Sequence, residues 1–296
     1  MGLRMCYNDS VKGKNKSRQE GMMINMSFKI GFTSNIGKEN ERKEEVALAS
    51  ENTAPKRSVV EVRFPGRGID LSYYNDKFDL KIGDLVYVDG KLEGKLGRVV
   101  GVNCNFKIKL SDYKRVIAVV NTDIHGTFYN AITHFISFEP EALPYSKAVT
   151  WFKAPEKDEE EFVSGSDGSG FSLSNLSEMN IDPTIAERGH DYYLQNYVKY
   201  LSLNGTHGRA VVVGGEAYEL EFEYEDGNIK NLTCSCYCSF NCKHEFAAML
   251  QLKNTLDYIE KNYVKEFERT HFFALIDKSK FFSFAVDGKE AGSFTI

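Results

Sequence analysis

Four potential metal ligands are crowded into eleven residues, and this crowding constrains the chain more than any other feature. The stretch TCSCYCSFNCKHEF contains Cys234, Cys236, Cys242 and His244. Residues i and i+2 of an extended strand point to the same face, so Cys234 and Cys236 can present two thiolates to one point. Cys242 and His244 fall just before and within the first turn of a helix, where unpaired N–H groups favour nearby thiolates. Because structural zinc takes four tetrahedral nitrogen or sulfur ligands, we predict that these residues bind one structural Zn²⁺.

Cys238 lies inside the same cluster and leaves the ligand set open at one point. It follows Cys236 by two residues, so it can replace Cys234 or Cys236, or point outward. Of the six cysteines, Cys6 and Cys104 are the two outside the cluster. A secreted disulfide scaffold is shorter and spreads its cysteines, so the crowding indicates metal chemistry in a reducing compartment. Without a long apolar run or a signal-peptide pattern, we expect a cytoplasmic protein with no membrane contact.

The patterns along the chain predict an α+β protein: an N-terminal small β-barrel-like unit, a flexible linker, and a C-terminal zinc-stapled β-meander flanked by helices. Residues 1–57 are polar and lysine-rich and are expected to be disordered. Methionines 1, 22, 23 and 26 are alternative starts. Residues 58–152 contain short β-branched runs separated by Gly, Asp and Asn, which is typical of an all-β barrel-like domain. Residues 153–181 combine an acidic run with Gly and Ser, so a flexible linker is expected there.

The C-terminal half is predicted to hold the zinc-binding domain over residues 182–265. Asp182 followed by Pro183 is a strong helix start. The run YELEFEY alternates apolar and acidic residues, which predicts a strand with one buried face, and EDGN supplies a hairpin turn to the next strand. A helix with apolar residues at helical spacing is expected from about His244. Residues 266–296 are predicted to form a hairpin extension that turns at Asp287-Gly288.

The ligand pattern resembles that of the SWIM zinc finger, which is Cys-x-Cys, a spacer, and Cys-x-His. In this sequence the motif is Cys234-Ser-Cys236, a spacer of five residues, and Cys242-Lys-His244. The predicted helix, meander and second helix of residues 182–265 also follow one another in the order found in that family. The resemblance implies zinc bound by these four residues and a role in protein–protein or DNA contacts. The spacer is at the short end of the family's range. Residues 80–103 also resemble the KOW-type small barrels of translation and transcription factors.

Charge is distributed unevenly between the two units. Between residues 91 and 115, seven cations stand against two carboxylates. The cations are Lys91, Lys95, Arg98, Lys107, Lys109, Lys114 and Arg115. Tyr87, Phe106 and Tyr113 lie among them, and small β-barrels that bind nucleic acid combine such cations with aromatic platforms. The alternative is a solvated basic face. Residues 187–265 contain 8 Lys or Arg and 11 Asp or Glu, so a protein partner is favoured there over DNA or RNA.

Known enzymatic motifs do not fit this chain, and we predict a non-catalytic protein. His244-Glu245 begins like a zinc-protease helix, but position 248 is Ala where a second His is needed. The deaminase pattern and the phosphate-binding P-loop are absent. The predicted function is a zinc-binding module that mediates nucleic-acid or protein contacts. The first alternative is a pure protein-interaction or assembly factor. A hydrolase built on Cys104, with His125 or His134 as its base, is the least favoured.

Overall fold

The computed structural model describes residues 27–32, 55–156, 165, 168–238, 240–286 and 292–295. Within these ranges the chain forms two antiparallel sheets and several helices, which confirms the α+β class.

The strands and helices have the following bounds. The strands are β1 (Ser27–Phe32), β2 (Ser58–Arg63), β3 (Leu71–Asn75), β4 (Leu85–Val88), β5 (Gly97–Asn103), β6 (Val116–Val120), β7 (Ile124–Ala131), β8 (His134–Ser137), β9 (Gly170–Ser172), β10 (Val198–Asn204), β11 (His207–Val213), β12 (Ala217–Glu225), β13 (Asn228–Cys234), β14 (Phe272–Asp277) and β15 (Gly292–Thr295). The helices are α1 (Tyr145–Ala148), α2 (Pro183–Leu194), α3 (Lys243–Asn262), α4 (Val264–Thr270) and α5 (Lys278–Val286).

The smaller sheet contains five strands in the order β3-β2-β5-β4-β6. Its strands enclose their own apolar core, in which Val60, Val62, Val86 and Val99 are fully buried. The sheet curls so that its two edges approach each other. One isolated parallel bridge pairs Tyr74 of β3 with Arg115, the residue before β6. Since the edge strands share a single bridge rather than a ladder, the sheet is barrel-like but not closed among the described residues.

The larger sheet contains ten strands in the order β15-β1-β7-β8-β14-β10-β11-β12-β13-β9. Helix α3 packs on one face over a core that includes Leu201, Leu220 and Ala248. Helix α5 covers part of the other face, where the ring of Phe281 contacts that of Phe128 at a centroid distance of 4.9 Å. The meander β10 to β13 therefore forms part of a sheet that continues through β14 to β8, β7, β1 and β15.

Strand pairing divides the chain differently from the predicted boundaries. Strands β7 and β8, which the prediction placed in the 58–152 domain, pair with β1 and β14 of the larger sheet. The local pattern predicted strands over 58–152 in general, but it contains no information about partners more than a hundred residues away. The five-stranded sheet therefore ends at Val120, and the larger sheet takes strands from both ends of the chain.

Three further predictions need correction. Residues 1–57 were expected to be disordered, but they contain β1, which pairs between β15 and β7 in the larger sheet. Residues 1–26 and 33–54 lie outside the described ranges. Within the predicted linker 153–181, β9 pairs with β13, while residues 157–164 and 166–167 lie outside those ranges. The hairpin over 266–296 is not formed: Lys278–Val286 is helix α5 and β15 pairs with β1, while Asp287-Gly288 is not described.

His134 is buried where β8, β14 and β10 meet. Its Nε2–H donates to the carbonyl of Val198 over 2.9 Å, and its Nδ1 lies 2.9 Å from Oγ1 of Thr133. Asp277, Lys199 and Lys278 are the charged groups around it. Burial is the main cause that lowers the pKa of His134, so the folded protein favours the neutral ring.

This buried histidine predicts a loss of stability in mild acid. The folded-state pKa lies below the unfolded value of about 6.5, so the unfolded chain binds more protons once the pH falls below that value. The contribution of the neutral His134 to the free energy of unfolding is therefore complete above about pH 6.5, and it is lost as the pH falls towards the folded-state pKa. Denaturant unfolding of wild type and His134→Gln across this range measures it. The variant should show a flatter pH dependence than wild type; equal slopes for the two proteins would contradict the account.

Ile132 is strained at the turn between β7 and β8. Its φ is 55°, in the left-handed region that β-branched residues avoid, and its side chain is 80% exposed. Exchange to Asn, which tolerates this conformation, should raise the free energy of unfolding by about 1 kcal/mol. Denaturant unfolding provides the measurement. Ile132→Val is the control because it keeps the branched side chain and should give no gain; a destabilised Ile132→Asn protein would contradict the strain argument.

Candidate metal centre

The four residues singled out in the sequence converge on one point. The sulfurs of Cys234, Cys236 and Cys242 and a ring nitrogen of His244 all lie within 4.8 Å of one another. Nδ1 of His244 is 3.8 Å from Sγ of Cys234 and 3.7 Å from Sγ of Cys242. Around a tetrahedral zinc ion, with Zn–S near 2.3 Å and Zn–N near 2.0–2.1 Å, the expected S···N separation is about 3.6 Å. The arrangement therefore matches a metal-ligand shell.

The end of strand β13 positions the first two cysteines. Cys234 pairs with Leu220 of β12, and one residue later the N–H of Ser235 donates to the carbonyl of Glu219 over 2.9 Å. The hydroxyl of Ser235 in turn accepts from the N–H of Glu219 over 2.9 Å. These bonds hold the backbone between the two thiols, so Cys234 and Cys236 keep their common direction beyond the end of the ladder.

The start of helix α3 positions the other two ligands. Cys242 is the N-cap, and its sulfur accepts from the N–H of Glu245 over 3.4 Å. The carboxylate of Glu245 accepts from the N–H of Cys242 over 2.7 Å, which completes a capping box. His244 follows in the first turn and is buried. The exposed N–H groups of the first turn stabilise negative sulfur at this point.

Aromatic rings fix the imidazole of His244. Tyr218 stacks on it with a centroid distance of 4.1 Å and an interplanar angle of 20°, and Tyr192 lies 5.6 Å away at a tilt. Nε2 of His244 is buried and has no hydrogen-bond partner among the described residues. A buried polar atom without a partner costs about 1–3 kcal/mol, so hydrogen bonding alone does not explain why this ring points at three thiols. Coordination of a cation through Nδ1 would explain this orientation.

Helix α2 lies close enough to support the start of α3. Gly189 makes this approach possible: a Cβ at that position would stand 2.8 Å from Cβ of Phe246 and 2.9 Å from the carbonyl oxygen of Lys243. Asp182 caps α2 by accepting from the N–H of Thr184 over 2.8 Å, as the sequence predicted. The helix that precedes the meander therefore packs directly against the turn that carries His244.

The surroundings of the cluster favour its uncharged form when no cation is bound. Burial raises the pKa of Cys236 to about 12. A hydrogen bond with Cys234, followed by burial, raises the pKa of the Cys242 thiol. Burial and the nearby Lys243 lower the pKa of His244 to about 4. A divalent cation reverses this preference because it binds thiolates and neutral imidazole and displaces the thiol protons.

Cys238, whose role the sequence left open, lies outside the group of four converging side chains. It is exposed and does not belong to the group of converging atoms. Its backbone N–H instead forms a hydrogen bond to the sulfur of Cys236. The third cysteine of the CSCYC run therefore supports a ligand through its backbone.

The seven cations of the first unit are spread over turns and strand ends of the five-stranded sheet. Lys91, Lys95, Lys107, Lys109 and Lys114 are exposed. The two arginines are engaged inside the unit. Arg98 donates to the carbonyl of Gly83 over 2.9 Å, while Arg115 pairs with Asp76 and lies over the ring of Tyr74. The prediction of a nucleic-acid contact on this side stays a prediction.

The residues of the hydrolase alternative have other surroundings. Cys104 is exposed just after β5 of the small sheet. His134 lies in the large sheet, buried, with both ring nitrogens in contact with neighbouring groups. The non-catalytic assignment, with this hydrolase as its least favoured alternative, stays a prediction.

Sequence reasoning missed the groups that orient the ligands. The capping box was detectable, because Cys242 and Glu245 have the spacing of an N-cap and its N3 partner. Nothing in the sequence indicated that Tyr218 stacks on His244, because this contact depends on how the meander and α3 pack together.

Comparisons with known proteins add a partial match. An uncharacterized protein of the archaeon Methanocaldococcus jannaschii is 36% identical over 91 residues, which is 30% of this chain and 38% of that protein. No protein-family profile matches the chain, and no solved structure matches it. The chain thus spans well under half of this relative, and the likeness is confined to a segment.

Among the described residues, no helix has the length and apolar character needed to cross a membrane.

The geometry predicts which cysteines are needed for metal binding. Cys242→Ser should abolish stoichiometric metal binding, because Cys242 is one of the four converging ligands. Cys238→Ser is the matched control and should retain it, because this position contributes only its backbone N–H. Elemental analysis of the purified proteins measures the metal-to-chain ratio. Loss of metal in the Cys238 variant, or full retention in the Cys242 variant, would refute the assignment.

Proposed function

We propose that the protein is a non-catalytic, SWIM-type module in which one structural Zn²⁺ joins the end of β13 to the start of α3. The observation that carries the proposal is the convergence of three sulfurs and Nδ1 of His244 at separations expected around tetrahedral zinc. Borderline-soft ligands of this kind suit zinc better than the hard cations Mg²⁺ or Ca²⁺.

A structural role for the metal is favoured over a catalytic one. Catalytic zinc sites keep one coordination position open for water, whereas four protein ligands fill a tetrahedral shell. Cys242 and His244 are also buried, which limits access from that side. Zinc bound by three thiolates and a neutral imidazole carries one net negative charge, and the start of α3 and Lys243 lie close to it and offset that charge.

Zinc at this point would add a direct tie between the end of β13 and the start of α3, beside the apolar core that α3 shares with the sheet. The connection from β13 to α3 bears exposed side chains at Tyr237, Cys238 and Phe240, so it has little apolar packing of its own. Structural zinc contributes on the order of 10–16 kcal/mol of apparent binding free energy in small modules, compared with a net stability of about 5–15 kcal/mol for a typical domain. Metal is therefore expected to dominate the stability of this region.

A protein is the favoured partner, and DNA or RNA is the second candidate. The acidic balance of residues 187–265 disfavours phosphates near the metal centre. On the first unit, the two arginines of the basic stretch are used for internal contacts. Three cysteine ligands must remain reduced to bind metal, which fits the expected cytoplasmic location.

Removal of zinc tests the structural role. Treatment of the full chain with a strong chelator should lower the midpoint of thermal unfolding by more than about 10 °C and reduce the helical circular dichroism signal, because the start of α3 loses its anchor. Addition of zinc should restore both. Cys242→Ser should already show the lowered midpoint and should not respond to chelator. An unchanged midpoint after verified metal removal would contradict a structural role.

A further inference from the structure

The segment between Cys236 and Cys242 presents two aromatic rings that the protein leaves uncovered. Tyr237 is 100% exposed and Phe240 is 89% exposed. Exposed aromatic pairs of this kind are typical of contact sites, where they contribute large buried area at low entropy cost. The segment begins and ends at metal ligands, so a bound ion fixes both of its ends and presents the two rings in a defined position.

An acidic cleft of about 330 Å³ lies against Tyr237. Four parts of the chain line it: the turn before β5, the residues that follow Trp151, the residues around the start of β12, and Ser235 with Tyr237. The carboxylates in its lining are Glu93, Glu156 and Glu216. Lys153 is the cation in the lining, and its ammonium group is hydrogen-bonded to Glu156 and Glu219. Negative charge therefore exceeds positive charge around the cleft.

Apolar surface continues from the cleft to the metal centre. Tyr218 lines the cleft and also stacks on His244, and Ala154 and Pro155 add aliphatic surface to the lining. The cleft thus combines carboxylates with aromatic and aliphatic surface, and this combination suits the long apolar stem and charged end of an arginine or lysine.

We propose that Tyr237 and this acidic cleft, together with the exposed Phe240 three residues further along the same loop, form a docking surface for a protein segment that carries an arginine or lysine beside an apolar residue. The inference rests on the proposed function, because the metal fixes the segment that bears both rings. The cationic side chain enters the cleft, where the carboxylates balance its charge and the ring of Tyr237 offers a cation–π contact. The apolar neighbour covers Phe240. Phosphate groups are repelled by the same carboxylates, so a nucleic acid is a poor fit.

The two parts of the surface have different roles. Exposed ion pairs contribute little net affinity, whereas aromatic rings at the centre of an interface contribute most of it. Charge around the cleft instead selects the partner and speeds association. Loss of the rings should therefore abolish binding, and loss of one carboxylate should weaken the preference for basic sequences.

The test uses a library of random short peptides displayed on phage, selected against the zinc-loaded full-length protein. Selected peptides are expected to be enriched in arginine or lysine next to leucine or an aromatic residue. One selected peptide is then synthesised and titrated. The double substitution Tyr237→Ser and Phe240→Ser should weaken its binding by about tenfold or more. Glu216→Gln should weaken it less and reduce its dependence on salt.

Ile132→Asn is the matched control, because it removes an equally exposed apolar side chain outside this surface and should leave peptide binding unchanged. Failure to select any peptide, selection of acidic or uncharged peptides, or undiminished binding by the double variant would each overturn the proposal. Competition by single-stranded oligo(dT) for the peptide would overturn it in favour of a nucleic acid.

Zinc content of every variant separates this proposal from the one on which it rests. If the wild-type protein holds no stoichiometric zinc, the proposed function fails first. If wild type and the double variant both hold zinc and both bind the peptide equally, only the docking surface fails. If the double variant loses its zinc, the two residues serve the metal loop structurally, and the docking proposal is overturned.

Discussion

The structure depends most on the convergence of a strand end and a helix start at one small volume. Three sulfurs and an imidazole nitrogen meet where β13 stops and α3 begins. Thiols and imidazole make weak hydrogen bonds to each other, and Nε2 of His244 has no such bond among the described residues. A cation bound by all four at once would add a strong tie between the sheet and helix α3 at this weakly stabilised point.

Several neighbouring features are arranged around that point. The bonds of Ser235 to Glu219 extend the β12–β13 ladder to the first ligand pair. The capping box of Glu245 fixes the second pair at the helix start. Gly189 permits α2 to approach α3 beside the ligands. Each of these features lies close to the four converging side chains. Together they fix the orientations that those side chains would need to bind a tetrahedral ion.

The sequence was most informative where a short pattern determines chemistry. Spacing alone identified the four side chains that converge, because a strand period of two and a helix start bring them together without long-range information. The N-cap Asp182 and the alternating strand at Tyr218–Tyr224 were also predicted correctly, for the same reason. Cys238 was ambiguous, because its position relative to Cys236 allows either direction and only the packed loop decides between them.

Pairing between distant segments was not predictable from local pattern. Strand β1 follows a polar, lysine-rich stretch, and its assignment requires its partners β7 and β15, which are far along the chain. The same holds for β9, whose three residues become a strand only against β13. Helix α5 was taken for a strand because Phe281, Phe282 and Phe284 favour strands locally, whereas packing of Phe281 on Phe128 and Phe135 stabilises the helix.

X-ray absorption spectroscopy of the purified full-length protein at the zinc edge tests the central claim most directly. The account predicts one zinc per chain with three sulfur neighbours near 2.3 Å and one nitrogen neighbour near 2.0–2.1 Å. A sample without stoichiometric zinc, or a spectrum dominated by oxygen ligands, would contradict it.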